Sequence, residues 1–214
     1  MTLLPLPSRS FAATRHGMDD APSPLTYTHR AKPYGAQAEL KLTTEQLTIS
    51  QGVVEVGLPL KDIVAIRLTY RPRNSTSEGY QAMVLHRGGK TITFSNLTFR
   101  NAFSIDRQDA PYRRFVIALV SAARAANPQL ALMAGTTPWK HWLSALLGAA
   151  AVLALALGSV TTAPKVSLPI AALLAVLTVY FGWWTWRFVS RNRPRAFMVE
   201  AIPEDVLPKE GSGE

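Results

Sequence analysis

Three basic groups in this chain have residue types and spacings suited to binding chemistry. Arg71 and Arg73 bracket Pro72 at the head of a polar stretch, Arg87 and Lys90 flank Gly88-Gly89, and Arg113 and Arg114 are adjacent. A guanidinium is planar and donates two parallel hydrogen bonds, which suits a phosphate or carboxylate ligand. Catalytic patterns are missing. His16, His29, His86 and His141 show no metal-ligand spacing. Asp106 and Asp109 fit a helix start, where acidic side chains complement the dipole and Asp109 can cap. There is no cysteine, which excludes disulfides, thiolate chemistry and Cys-based zinc sites. No glycine-rich phosphate loop and no G-x-S-x-G occurs. The expectation is a binding protein rather than an enzyme, with no cofactor and no metal.

The elements that must position these residues are legible as periodicities. From Gln37 to Ser95 apolar residues alternate with polar ones: Ala38, Leu40 and Leu42; Leu47 and Ile49; Val54, Val56 and Leu58; Ile66, Leu68 and Tyr70; Tyr80, Ala82 and Val84; Ile92 and Phe94. A period of two means short strands with one buried face. Ser50-Gln51-Gly52 and Arg87-Gly88-Gly89-Lys90 are turn signals, so successive strands form an antiparallel meander. The pattern then changes to a helical period. Tyr112, Phe115, Val116, Leu119, Val120 and Ala123 share one face, and Ala126-Asn127-Pro128 ends the helix.

Two uncharged stretches of 21 residues follow, Trp142 to Thr162 and Val166 to Trp186. Each would reach about 31 Å as a helix, the thickness of a bilayer core. Their short link, Thr161 to Lys165, predicts an antiparallel transmembrane hairpin. Lys140, Arg187, Arg191, Arg193 and Arg195 flank the outer ends, whereas the link offers only Lys165. The positive-inside rule then places both chain termini in the cytoplasm. Trp139, Trp142, Trp183, Trp184 and Trp186 cluster at the same ends, as interface anchors do. Neither span carries a central charge, which argues against transport. Ala150, Ala154 and Gly158 recur every four residues and suggest a packing seam with the second span or with another copy.

The charge is uneven. Of a net +9, residues 1–141 carry +8, from 17 Lys+Arg against 9 Asp+Glu. A basic domain tied to a membrane is drawn to anionic lipid. No nucleic-acid recognition motif is present, and no nucleic acid is expected as a partner. Residues Met1 to Gly17 do not read as a signal peptide, because Pro5 and Pro7 interrupt the short apolar run.

The segment Leu42-Thr43-Thr44-Glu45-Gln46-Leu47-Thr48-Ile49, Gly52, and Leu58-Pro59-Leu60-Lys61-Asp62-Ile63-Val64-Ala65-Ile66 resembles bacterial pleckstrin-homology-like and GRAM-like domains. The resemblance covers roughly residues 30 to 127. It implies an α+β fold: an antiparallel curled sheet or partly open barrel, PH-like, capped by one C-terminal helix. Six strands are clear where that family has seven; Thr26 to Lys32 or Asn96 to Arg100 could supply the seventh. The expected organisation is a flexible N-terminal tail (1–26), a PH-like domain (27–130), a juxtamembrane linker (131–141), transmembrane helices (142–162 and 166–186) and a basic juxtamembrane segment with a C-terminal tail (187–214). In that tail Phe197, Val199 and Ile202-Pro203 could dock on a sheet edge or remain loose. The resemblance implies a bacterial inner-membrane protein whose cytoplasmic module binds a protein partner, itself or anionic headgroups. A homo-oligomeric scaffold is the alternative. A small lipid-acting enzyme would need His141 to meet a carboxylate.

Overall fold

The computed structural model describes residues 24–72, 78–162 and 168–209. The expectations for Arg73, for Lys165 in the interhelical link and for residues 1–23 lie outside the described residues.

The protein is α+β, with mixed and antiparallel sheets and three helices. The first sheet is β1 (Leu25–His29), β2 (Ala38–Leu42), β3 (Gln46–Gln51) and β4 (Val54–Pro59), in that order and antiparallel throughout. A short 3-10 turn, Leu60–Asp62, leads into β5 (Ile63–Tyr70), which pairs with β6 (Tyr80–His86), and β6 with β7 (Thr91–Ser95). Both segments that could have supplied a seventh strand are strands. Thr26 to Lys32 contains most of β1, and Asn96 to Arg100 contains β8 (Leu97–Phe99), which pairs with β9 (Ile105–Arg107) in a separate ribbon. Gly89 closes the β6–β7 turn at φ +77°, a region open to glycine.

Helix α1 (Asp109–Ala126) buries the expected stripe, Tyr112 through Ala123. The core joins all layers. Tyr27 of β1 lies 5.8 Å from Phe94 of β7 and 5.5 Å from Phe115 of α1, ring centre to ring centre. Asp109 does not cap the helix. It is the first helical residue, and its buried carboxylate accepts from Asn96 Nδ2 at 2.6 Å and pairs with Arg107.

Two features depart from a simple meander. The segment expected to be a linker contains β10 (Ala131–Ala134), which runs parallel to β5, Leu132 opposite Ile66. After the helical hairpin, β11 (Arg195–Ala196) pairs with β10, giving a second sheet of order β11-β10-β5-β6-β7. Parallel pairing requires a long crossover, and the chain from β6 through α1 supplies it between β5 and β10. Beyond β11 the tail folds back on the domain. Val206 and Leu207 enter the core, and Phe197, Val199 and Ile202 pack against it.

Helices α2 (Pro138–Thr162) and α3 (Leu168–Arg191) are long and apolar enough to cross a membrane. They pack antiparallel. A Cβ at Gly148 would press into Thr185, one at Gly182 would meet Val152, and Ser159 Oγ donates to the Ala171 carbonyl at 2.9 Å. Ala150 and Ala154 lie off this seam and are exposed, while Gly158 borders it against Leu174. The four-residue recurrence tracks one helix face, but the face turned to α3 is the neighbouring one, through Gly148 and Val152.

Candidate functional site

The candidate site is the junction where the second sheet meets the bases of α2 and α3. Its foundation is Asn192, 1% exposed, immediately after α3. Its Oδ1 accepts from Tyr70 N at 3.1 Å and its Nδ2 donates to Tyr70 O at 2.8 Å. The side-chain amide therefore pairs the end of β5 as a neighbouring strand would, leaving neither backbone group unpaired in the interior. Gly135, just after β10, donates to Leu68 O at 2.8 Å, and Thr136 N donates to Asn192 O at 3.2 Å. Gly135 has φ +78°, and a Cβ there would lie 2.3 Å from Arg193 O. Only glycine fits so close a backbone approach.

A charged latch lies beside this clamp. Arg187 and Arg191, one turn apart on α3, both donate to Glu78 Oε1, and Tyr80 Oη donates to Oε2 at 3.1 Å. Arg191 also lies over the Tyr70 ring at 4.7 Å, a favourable place for a cation. Burial alone would raise the Glu78 carboxyl's pKa. The Arg191 and Arg187 guanidiniums and the Tyr80 hydroxyl outweigh it and hold that pKa below the ordinary value. Asn96 Nδ2 donates to Glu78 O at 3.1 Å as well as to Asp109, so the latch is tied to the start of α1.

Above the clamp is a pocket of about 380 Å³. Its floor is the outer face of β5 and β6, with Arg67, Thr69, Gln81 and Met83, extended by Arg71 one residue past β5. Strand alternation puts these outside while Ile66, Leu68 and Tyr70 fill the core. Its helical wall is Thr136, Thr137, Lys140 and Ser144 leading into α2, and Phe188 of α3. Arg67 Nη1 donates to Gly135 O at 3.2 Å, and Arg71 Nη1 donates to Gln81 Oε1 at 3.0 Å. Lys140 lies 5.6 Å from the Trp139 ring centre. Among the described residues no carboxylate pairs with any of these three cations, and none lines the pocket. The Thr137 hydroxyl is buried without a partner among the described residues. The N-terminal end of α2 adds partial positive charge. Cations, hydroxyls and an amide around a recess can hold an anion such as phosphate.

The basic residues singled out in the sequence do not converge. Arg71 lines the pocket. Arg87 and Lys90 lie at the opposite end of the β5–β6–β7 ladder, where Arg87 N donates to Asp62 O at 2.8 Å and its guanidinium is 4.0 Å from Asp62 Oδ1. Arg113 Nη1 holds Pro208 O at 2.8 Å and so fastens the tail, while Arg114 is exposed on α1. Of the flanking residues, Trp139, Lys140 and Trp142 at the base of α2 lie at the same end of the hairpin as Trp183, Trp184 and Trp186 on α3. Arg187 and Arg191 are engaged by Glu78, and Arg195 pairs with Asp205; Arg193 is exposed. His141 is buried edge-on to Trp142, and no carboxylate among the described residues pairs with it. Among the described residues there is also no group of three His, Cys, Asp or Glu placed for a metal.

Arg67, Glu78 and Asn192 escaped the sequence reading. Arg67 had a visible signal, since residues 67, 69 and 71 share the polar face of one strand and two are arginine. Glu78 and Asn192 had none, because the residues that engage them across the junction, Arg187 and Arg191 for Glu78 and Tyr70 for Asn192, are more than 100 residues away. No protein-family model matches this chain and no curated protein matches it, so its functional reading rests on the geometry of this junction.

Proposed function

We propose that the protein is a membrane-anchored, cytoplasmic binding module whose PH-like sheet domain takes an anionic lipid headgroup in the junction pocket. The observation that carries this reading is a set of three cations, Arg67, Arg71 and Lys140, that no carboxylate among the described residues pairs, around a recess beside the Trp-rich ends of two long apolar helices. Outward-facing Leu146, Leu153, Val160, Val176 and Val179 on those helices are exposed. So wide an apolar surface is stable in lipid and not in water. The flanking basic residues favour the sheet domain on the cytoplasmic side. The PH-like reading draws support from two antiparallel strand sets, β1–β4 and β5–β7, with α1 packed across their shared core. On this reading the hairpin anchors the protein and the domain binds without catalysing a reaction.

The test uses the full-length chain, because β10, β11 and the tail complete the domain. Arg67→Gln, Arg71→Gln and Lys140→Gln combined should leave membrane fractionation unchanged and lower the anionic lipid retained through purification several-fold. Equal retention by wild type and variant would defeat the reading.

A second reading, a homo-oligomeric scaffold, draws on the exposed Ala150 and Ala154 face that α3 leaves uncovered. Small residues let helices approach closely, so Ala154→Leu should abolish crosslinked dimers in membranes if a second copy packs there. Crosslinking that is unchanged, or absent in wild type, removes this reading.

A further inference from the structure

Arg67 of β5 and Arg71, one residue past its end where Arg71 N still bonds Gly79 O, stand on the same face four residues apart, so their Cα atoms are about 13 Å apart. Their side chains are drawn to opposite sides of the strand. Arg67 reaches toward β10, bonding Gly135 O, and Arg71 reaches toward β6, bonding Gln81 Oε1. Each guanidinium still has N–H groups to offer a ligand. The pocket between them carries the Thr69 hydroxyl, and Lys140 faces it from the first turn of α2. A single phosphate engages one of the two held forks and leaves the rest of a triply positive recess uncompensated. Two linked phosphates can meet both.

We propose that the pocket selects a lipid with two phosphate groups in its headgroup, one at Arg67 and one at Arg71, with Lys140 closing over them. This rests on the headgroup reading above. A lipid fits better than a soluble diphosphate because one wall is built from the helices themselves, through Ser144 and Phe188, with apolar Met83 at the floor. A headgroup fills about 380 Å³ while its acyl chains leave along α2 and α3.

The experiment titrates full-length protein in detergent with tetraoleoyl cardiolipin and with dioleoyl phosphatidylglycerol, read by native mass spectrometry. Cardiolipin should bind at least about fivefold more tightly per phosphate. Arg71→Gln should bring cardiolipin to the level of phosphatidylglycerol, whose own binding changes by no more than about twofold. Arg67→Gln should do the same. Because Arg67 also holds Gly135, the exposed Arg71 carries the test if the Arg67 variant fails to fold. Arg87→Gln, at the far end of the sheet, should leave the preference intact. Equal affinity for the two lipids per phosphate would overturn the two-phosphate inference and leave the headgroup reading standing. Binding of neither would overturn both. Displacement of cardiolipin by an equal concentration of inorganic pyrophosphate would assign the pocket to a soluble diphosphate and overturn the lipid source.

Discussion

The two sheets of this domain are assembled in opposite ways. In the first, β1 to β4 follow one another in sequence and pair in that same order. In the second, β5 to β7 form a similar meander, but the edge beside β5 is supplied by β10 and β11, which lie on either side of a 54-residue helical hairpin running from Pro138 to Arg191. The first sheet is complete from local sequence. The second depends on residues that arrive only after both long helices, namely Asn192, β11 and Val206-Leu207. The candidate pocket lies on the dependent sheet. A recess between the sheet domain and the helical hairpin needs both to be held in register, and the clamp and the latch provide that register.

Several substitutions would break or sharpen this contrast. The largest effect is expected from deleting residues 195–214. Loss of Val206 and Leu207 from the core alone removes roughly 3–6 kcal/mol, much of the stability of an ordinary domain. Amide exchange should rise first in β10 and the second half of β5, and last in β2 and β3; uniform exchange would make the sheets equal partners. Next is Asn192→Leu, which strands the buried N–H and C=O of Tyr70 at a cost of about 3 kcal/mol. Thermal unfolding of the full chain should shift accordingly, and an unchanged midpoint would mean that the clamp is dispensable.

Glu78→Gln should cost less, about 1–2 kcal/mol at neutral pH, because the pair is partly solvated. Its pH dependence has a definite sign. The folded-state pKa of Glu78 lies below its unfolded value, so the unfolded chain binds the proton more readily. The stability from the latch is full above the ordinary glutamate range and is lost as pH falls through the folded pKa. The gap in melting temperature between wild type and Glu78→Gln should therefore narrow below about pH 4. A constant gap would show that charge does not hold the latch. The smallest effect is expected at Arg87→Gln, within about 0.5 kcal/mol, because its partner Asp62 is 4.0 Å away at a solvated turn. A larger loss would erase the difference between the two ends of the β5–β6 ladder.

The same contrast explains what could be read from sequence. The first sheet, the β5–β7 ladder, the α1 stripe and the two long apolar helices are written in local periodicity, because a repeating burial pattern is enough to specify each. Ala131-Leu132-Met133-Ala134 is too short and too uniformly apolar to declare itself a strand, and its parallel partner lies more than 60 residues upstream. Val206-Leu207 is a brief apolar pair in an acidic tail. Asn192 reads as one more polar residue in a basic flank, although its amide makes a strand-like pair with Tyr70. The pocket was half legible. In the sequence Arg71 reads as a loop residue and Arg67 as the polar half of an alternation. Lys140 stood out only as a flank, because sequence does not say which strand face the helix bases will meet.

The pairing of β10 with β11 also has a consequence for biogenesis in a bilayer. These strands precede and follow α2 and α3, so if both helices span a bilayer, as proposed above, the strands can meet only when the chain has crossed twice and returned to the side from which it left. A chain that inserted one span and missed the other would strand Asn192 and the residues that follow across the bilayer from β5. Its second sheet would remain open, with Tyr70 unpaired and the core lacking its last two side chains. On the membrane reading proposed above, completion of the domain would act as a check on topology, and pulse-chase proteolysis of a chain lacking α3 should find it persistently sensitive.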